Sequence, residues 1–173
     1  MRRKEYLIIP ILLLFLFVQF VPYQITNIFG QSIILTAELY DPRDVFRGDY
    51  VAINFAQETV SSDLFTTDEV ELWKLYNKKL FARLEVTKNG TENDVWHVIE
   101  VSENRPKDGV YIECKLDYFN EHENVGMLDF GVDRYYVEAN TGGAIEDAAR
   151  ENRLHIRMKV WRGQLIMTDI IVK

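Results

Sequence analysis

The densest set of chemically capable side chains is the run Asp41-Pro42-Arg43-Asp44-Val45-Phe46-Arg47-Gly48-Asp49-Tyr50. It brings three carboxylates and two guanidiniums into ten residues. Three chemistries fit it. In a structural turn, Gly48 permits positive φ or a bulge, Asp44 and Asp49 accept turn N–H groups, and Arg43 and Arg47 pair with them. As a cation site, Asp41, Asp44 and Asp49 would gather around a divalent ion. Their spacing lacks the regularity of an EF-hand, and two neighbouring arginines oppose a cation, so no metal is expected. As a recognition surface, Arg43, Arg47, Asp49 and the Tyr50 hydroxyl would hold an anionic group or a partner protein. A second block, Arg134-Tyr135-Tyr136, is either a plain strand with one Tyr in the core or a partner to the first. In the latter case Arg134 and Tyr135 join the same surface.

Other reactive residues make no such concentration. Thr141-Gly142-Gly143 reads as a helix N-cap rather than an anion nest, because no strand–loop–Lys context surrounds it. His97, His122 and His155 are scattered and show no metal-ligand spacing. Ser32, Ser61, Ser62 and Ser102 lack a Gly-x-Ser-x-Gly context. One cysteine, Cys114, excludes an internal disulfide framework and any multi-Cys metal site. No cofactor is expected.

The elements that must position these residues are mostly strands. Ser32 to Tyr40 alternates Ile33, Leu35, Ala37 and Leu39 against Ile34, Thr36, Glu38 and Tyr40. Tyr50 to Gln57 follows the charged turn, with Val51, Ile53 and Phe55 on one face. Thr66 and Glu69 make a capping-box pattern, which predicts a helix carrying Val70, Leu72, Trp73, Leu75 and Tyr76. Lys78 to Lys88, Asn89-Gly90 and Trp96 to Val101 read as a hairpin. Strands are also predicted at Val110 to Tyr118, Val125 to Phe130, Arg134 to Val137, Leu154 to Trp161 and Leu165 to Val172. A second short helix is predicted from Thr141 to about Asn152. The fold class is thus mainly β: antiparallel sheets or a small barrel with one or two short helices, plus an N-terminal transmembrane helix.

That leading helix begins after the cationic head Met1-Arg2-Arg3-Lys4, with an apolar run from Tyr6 to Val21 that Pro22, Tyr23, Ile25 and Ile28 extend. Phe20 to Ile28 offers no Ala-x-Ala-like cleavage site, which favours an uncleaved signal-anchor over a signal peptide. A buried core helix is the alternative. The basic head would stay cytoplasmic. The domains are therefore residues 1–29, head and anchor, and residues 30–173, an extracytoplasmic β-rich domain. Contact with the bilayer falls to residues 6–28, at the cell membrane in a single pass.

The 173 residues carry 20 Lys+Arg and 27 Asp+Glu, net −7, and 47% are hydrophobic. Disorder is excluded by the 10 Phe, 9 Tyr and 3 Trp, and the acidic balance argues against nucleic acid. Removing Arg2, Arg3, Lys4 and Glu5 leaves 17 basic against 26 acidic residues, net −9. Such a domain is expected to stand off anionic headgroups.

Gly48-Asp49-Tyr50-Val51-Ala52-Ile53-Asn54-Phe55 after an Asp-Pro-Arg-Asp turn resembles the motif that names the bacterial GDYXXLXY family. Ile53 stands at the Leu position and Phe55 at the final Tyr position. Val98 to Pro106, and Val132 to Val137 with Thr141-Gly142, resemble further blocks of that family. The resemblance implies a membrane-anchored protein, often encoded beside or fused to polytopic membrane proteins, with no established activity. The function expected is a recognition or accessory domain serving an integral membrane partner. An envelope hydrolase or peptidase, or a small-ligand or cation sensor, is the alternative.

Overall fold

The structure, a computed structural model, describes residues 8–39, 50–67, 72–86, 94–132, 134–136 and 154–172. Helix α1 (Ile8–Phe29) opens it, and Pro22 lies inside the helix. Eleven strands follow among the described residues: β1 (Gln31–Leu39), β2 (Tyr50–Phe55), β3 (Thr59–Ser61), β4 (Phe65–Thr66), β5 (Leu80–Val86), β6 (Trp96–Ser102), β7 (Val110–Asn120), β8 (Val125–Asp129), β9 (Arg134–Tyr136), β10 (Leu154–Trp161) and β11 (Gln164–Val172). They form two sheets, ordered β11-β10-β1-β2-β9 and β3-β8-β7-β5-β6-β4. The mainly-β class holds. The pairing is antiparallel apart from β4 against β6, which run parallel.

Period-2 patterning explains how the sheets close on each other. Ile33, Leu35 and Ala37 of β1 are fully buried, as their alternation predicts. With Ile53 and Phe55 of β2 and Ile156 and Met158 of β10, they meet Leu80, Ala82, Val101, Ile112, Leu116 and Leu128 of the second sheet in a single core. Where alternation breaks, the strands bulge. Thr168 is the extra residue of β11 opposite Arg157 and Met158, and its hydroxyl donates to the Arg157 carbonyl at 2.9 Å. The β10–β11 hairpin turns on Arg162 and Gly163, at φ +52° and +89°. Positive φ at both central residues is the type I′ geometry, whose twist matches the flanking strands.

Of the helix predicted from the Thr66/Glu69 capping box, residues 68–71 lie outside the described residues. Thr66 ends β4, paired with Ser102, and Leu72–Leu75 form a 3₁₀ turn in place of the predicted α-helix. Its burial is uneven: Leu75 is in the core, whereas Trp73 is exposed. The Asn89-Gly90 turn and the helix predicted from Thr141 lie outside the described residues. The strands flanking Asn89-Gly90 do pair, from Val86 opposite Trp96 to Phe81 opposite Ser102.

Helix α1 is long and apolar enough to cross a membrane and exposes its apolar length. That overturns the core-helix alternative within this chain. No spacer separates it from the sheets: Gly30 alone stands between Phe29 and β1, and β1 pairs with β10 from Gln31 opposite Val160 onward.

Candidate functional site

Two of the blocks singled out in the sequence come together in the backbone. Strands β2 and β9 pair antiparallel, with Tyr50 opposite Tyr136, Val51 opposite Tyr135 and Ala52 opposite Arg134. Opposed residues in such a pair lie about 5 Å apart. The end of the Gly-Asp-Tyr motif and the Arg-Tyr-Tyr block therefore share one edge of the first sheet, with β9 outermost. Arg43, Arg47 and Asp49, together with Asp41, Asp44 and Gly48, lie outside the described residues. Of Tyr50, Arg134 and Tyr135 the backbone placement is described.

The second half of the motif is packing. Ile53 and Phe55 are each 1% exposed. The Phe55 ring stacks on Phe130, just past β8 of the opposite sheet, centroids 6.3 Å apart. Immediately after β2, Glu58 ties the same two residues together. One carboxylate oxygen accepts the Phe55 N–H at 2.9 Å, and the other accepts the Phe130 N–H at 3.1 Å. One side chain thus clasps the exit of the motif strand to the chain just past β8. Sequence reading missed Glu58; a carboxylate three residues after a strand carries no distinguishing signal.

The remaining candidates have structural surroundings. Cys114 is buried on β7, and burial pushes its thiol up to about 12, far from a thiolate at neutral pH. Ser61 caps the 3₁₀ turn over Ser62–Leu64, its oxygen accepting the Asp63 N–H at 3.4 Å. Ser102 donates to the Asn104 carbonyl at 2.7 Å. His155 is buried beside the Thr36 hydroxyl, 3.4 Å from Nδ1. Gln57, also buried, accepts the Thr36 N–H at 3.1 Å. His122 lies in a turn whose backbone N–H donates to the Asn120 side chain. Among the described residues, no three His, Cys, Asp or Glu gather as for a metal ion. The Thr141-Gly142-Gly143 segment lies outside the described residues.

The junction of helix and domain is a built interface. Thr26 is completely buried, and its hydroxyl donates to the side-chain Oε1 of Gln164 on β11 at 3.2 Å. The Gly30 N–H returns to the Thr26 carbonyl at 2.9 Å, closing the last turn. A Cβ on Gly30 would fall 2.2 Å from that carbonyl oxygen, which explains the glycine. The last turn of α1 carries no basic residue of its own. Lys159 of β10 supplies one, its ammonium donating to the Asn27 carbonyl, where the helix dipole is negative. Phe29 packs against Trp161, ring centroids 5.9 Å apart.

No curated protein and no solved structure matches the chain. A family model does, that of the GDYXXLXY protein, over residues 12–170, so the match takes in most of helix α1 as well as both sheets. The motif strand and its Arg-Tyr-Tyr neighbour lie paired inside that match, and the match spans most of the sequence: this chain is a member of the GDYXXLXY protein family.

Proposed function

We propose that the chain is a single-pass membrane protein that holds its β domain on the extracytoplasmic side as a recognition or accessory domain for a polytopic membrane partner. The observation that carries this reading is the way α1 is locked to the domain. A cleaved leader would take with it the Thr26–Gln164 hydrogen bond and the Phe29–Trp161 contact, both made by the helix's last turn with β10 and β11. A retained helix of 22 residues spans about 33 Å, enough for a hydrocarbon core of about 30 Å. Arg2, Arg3 and Lys4 before it favour a cytoplasmic N-terminus.

The recognition surface centres on the paired motif strands, with Arg43, Arg47, Asp49, Tyr50, Arg134 and Tyr135 as its residues. Tethering raises local concentration, so a weak contact between this edge and a neighbouring membrane protein suffices. Photo-crosslinking side chains placed at Arg47 and Tyr135 in native membranes test it. Capture of a polytopic membrane protein is the expected result. Correct insertion with no such adduct from either position refutes it. Arg47→Ala and Asp49→Ala separate recognition from turn-building: recognition predicts unchanged melting with lost capture, and a turn role predicts a lowered melting temperature.

A further inference from the structure

We infer that the cavity at the helix–domain junction is a binding site for the phosphate headgroup of an anionic phospholipid, an inference that rests on the membrane-anchor reading. The cavity measures about 290 Å³ and is walled by Phe29, Gln31, Tyr111, Trp161 and Arg162. That is the small end of the range for ligand sites, suited to a headgroup rather than a whole lipid.

Its depth fits. A hydrocarbon core of about 30 Å counted from Ile8 ends near Asn27, and Phe29 is roughly 3 Å further along the helix. The headgroup layer beyond is about 5–8 Å thick, so a wall made of Phe29 stands within it. Trp161 and Tyr111 are the residue types that favour this layer.

Its chemistry fits as well. Arg162 is exposed, and its guanidinium lies 5.7 Å from the Trp161 ring centre. Arg105 packs 5.3 Å from the Tyr111 ring centre, donates to the Tyr111 hydroxyl, and donates to the Arg162 carbonyl at 3.0 Å. Rings and backbone thus position both guanidiniums, and neither makes an ion pair among the described residues. Two acids stand next to cavity-lining positions in the chain or ladder: Glu113, whose N–H donates to the Gly163 carbonyl, is engaged by Lys79 at 2.7 Å, and Asp108 is exposed beside the cavity-lining Gly109. The net charge of −9 averages over the whole domain. The end that meets the helix gathers Arg105, Arg162 and Lys159, so the stand-off expected from net charge gives way locally to attraction.

The test uses the full-length protein in phosphatidylcholine nanodiscs containing a minor fraction of phosphatidylglycerol. Spin-labelled lipids of each type report enrichment at the protein. The wild type is expected to prefer phosphatidylglycerol. Arg162→Gln lowers the preference about fivefold and Arg105→Gln/Arg162→Gln about 25-fold, the worth of one and two basic residues near an anionic surface. Arg105→Lys/Arg162→Lys retains most of it. Should the double variant lower the melting temperature, Arg162→Gln alone decides. An inserted wild type without preference, or a folded double variant that keeps it, overturns the proposal. Displacement of the lipid by inorganic phosphate overturns it too, by making the site one for free anions. Extraction of the wild type from membranes by alkaline carbonate, a separate readout, instead refutes the anchor itself.

Discussion

Replacing Glu58 with Ala should unfasten the two sheets. Its carboxylate accepts the N–H groups of Phe55 and Phe130 at 2.9 and 3.1 Å, and those residues are 1% and 4% exposed. Water has little access to either amide once the acceptor is gone. A buried donor stripped of its partner costs about 1–3 kcal/mol. Glu58 is itself half-buried, so water entering its place offsets part of the loss, and about 3 kcal/mol is expected for the pair. For a domain of this size each kcal/mol lowers the melting temperature by roughly 3–5 °C, giving a drop of about 10–15 °C. Glu58→Gln keeps one carbonyl oxygen and is expected to lose about half as much. Thermal unfolding of the full chain in detergent, followed by near-ultraviolet circular dichroism, measures both. Melting of Glu58→Ala within about 2 °C of wild type, or Gln costing more than Ala, would refute the clasp.

Three further outcomes are expected. Gly30→Ala places a methyl 2.2 Å from the Thr26 carbonyl oxygen, so the junction must open. Distance measurements between spin labels on α1 and β11 should broaden, and an unchanged narrow distribution contradicts a rigid joint. Phe55→Tyr restores the residue type of the family pattern but puts a hydroxyl into the core; a loss of about 1–3 kcal/mol is expected in chemical denaturation unless a partner is found there. Cys114 has its thiol raised to about 12 by burial, so the folded state holds this proton more tightly than the unfolded state. Stability from that difference is present below the ordinary thiol range, near pH 9, and is lost as pH rises from there toward 12. Unfolding midpoints taken from pH 8 to 11 should fall more in wild type than in Cys114→Ala. Equal slopes would discount the thiol.

Local pattern carried much of this architecture. The span of α1, the inward face of β1 and the β10–β11 hairpin each follow from neighbours in the chain: an apolar run, an alternation of two, and an Arg162-Gly163 turn tolerant of positive φ. The same kind of signal misled at Leu72–Leu75, where an apolar stripe read as α-helix forms a 3₁₀ turn that buries Leu75 and leaves Trp73 exposed. The Gly-Asp-Tyr and Arg-Tyr-Tyr blocks were both visible as words, some 80 residues apart, yet nothing local says that β2 and β9 are partners. Strand order is decided by which surfaces can be buried together, a property of the folded whole. The Glu58 clasp, the burial of Thr26 against Gln164 and the pairing of Arg105 with the Arg162 turn have the same origin. Each joins residues distant in the chain through a hydrogen bond that exists only after the sheets and helix have met, so composition and spacing determined the parts, and tertiary packing alone decided what those parts face.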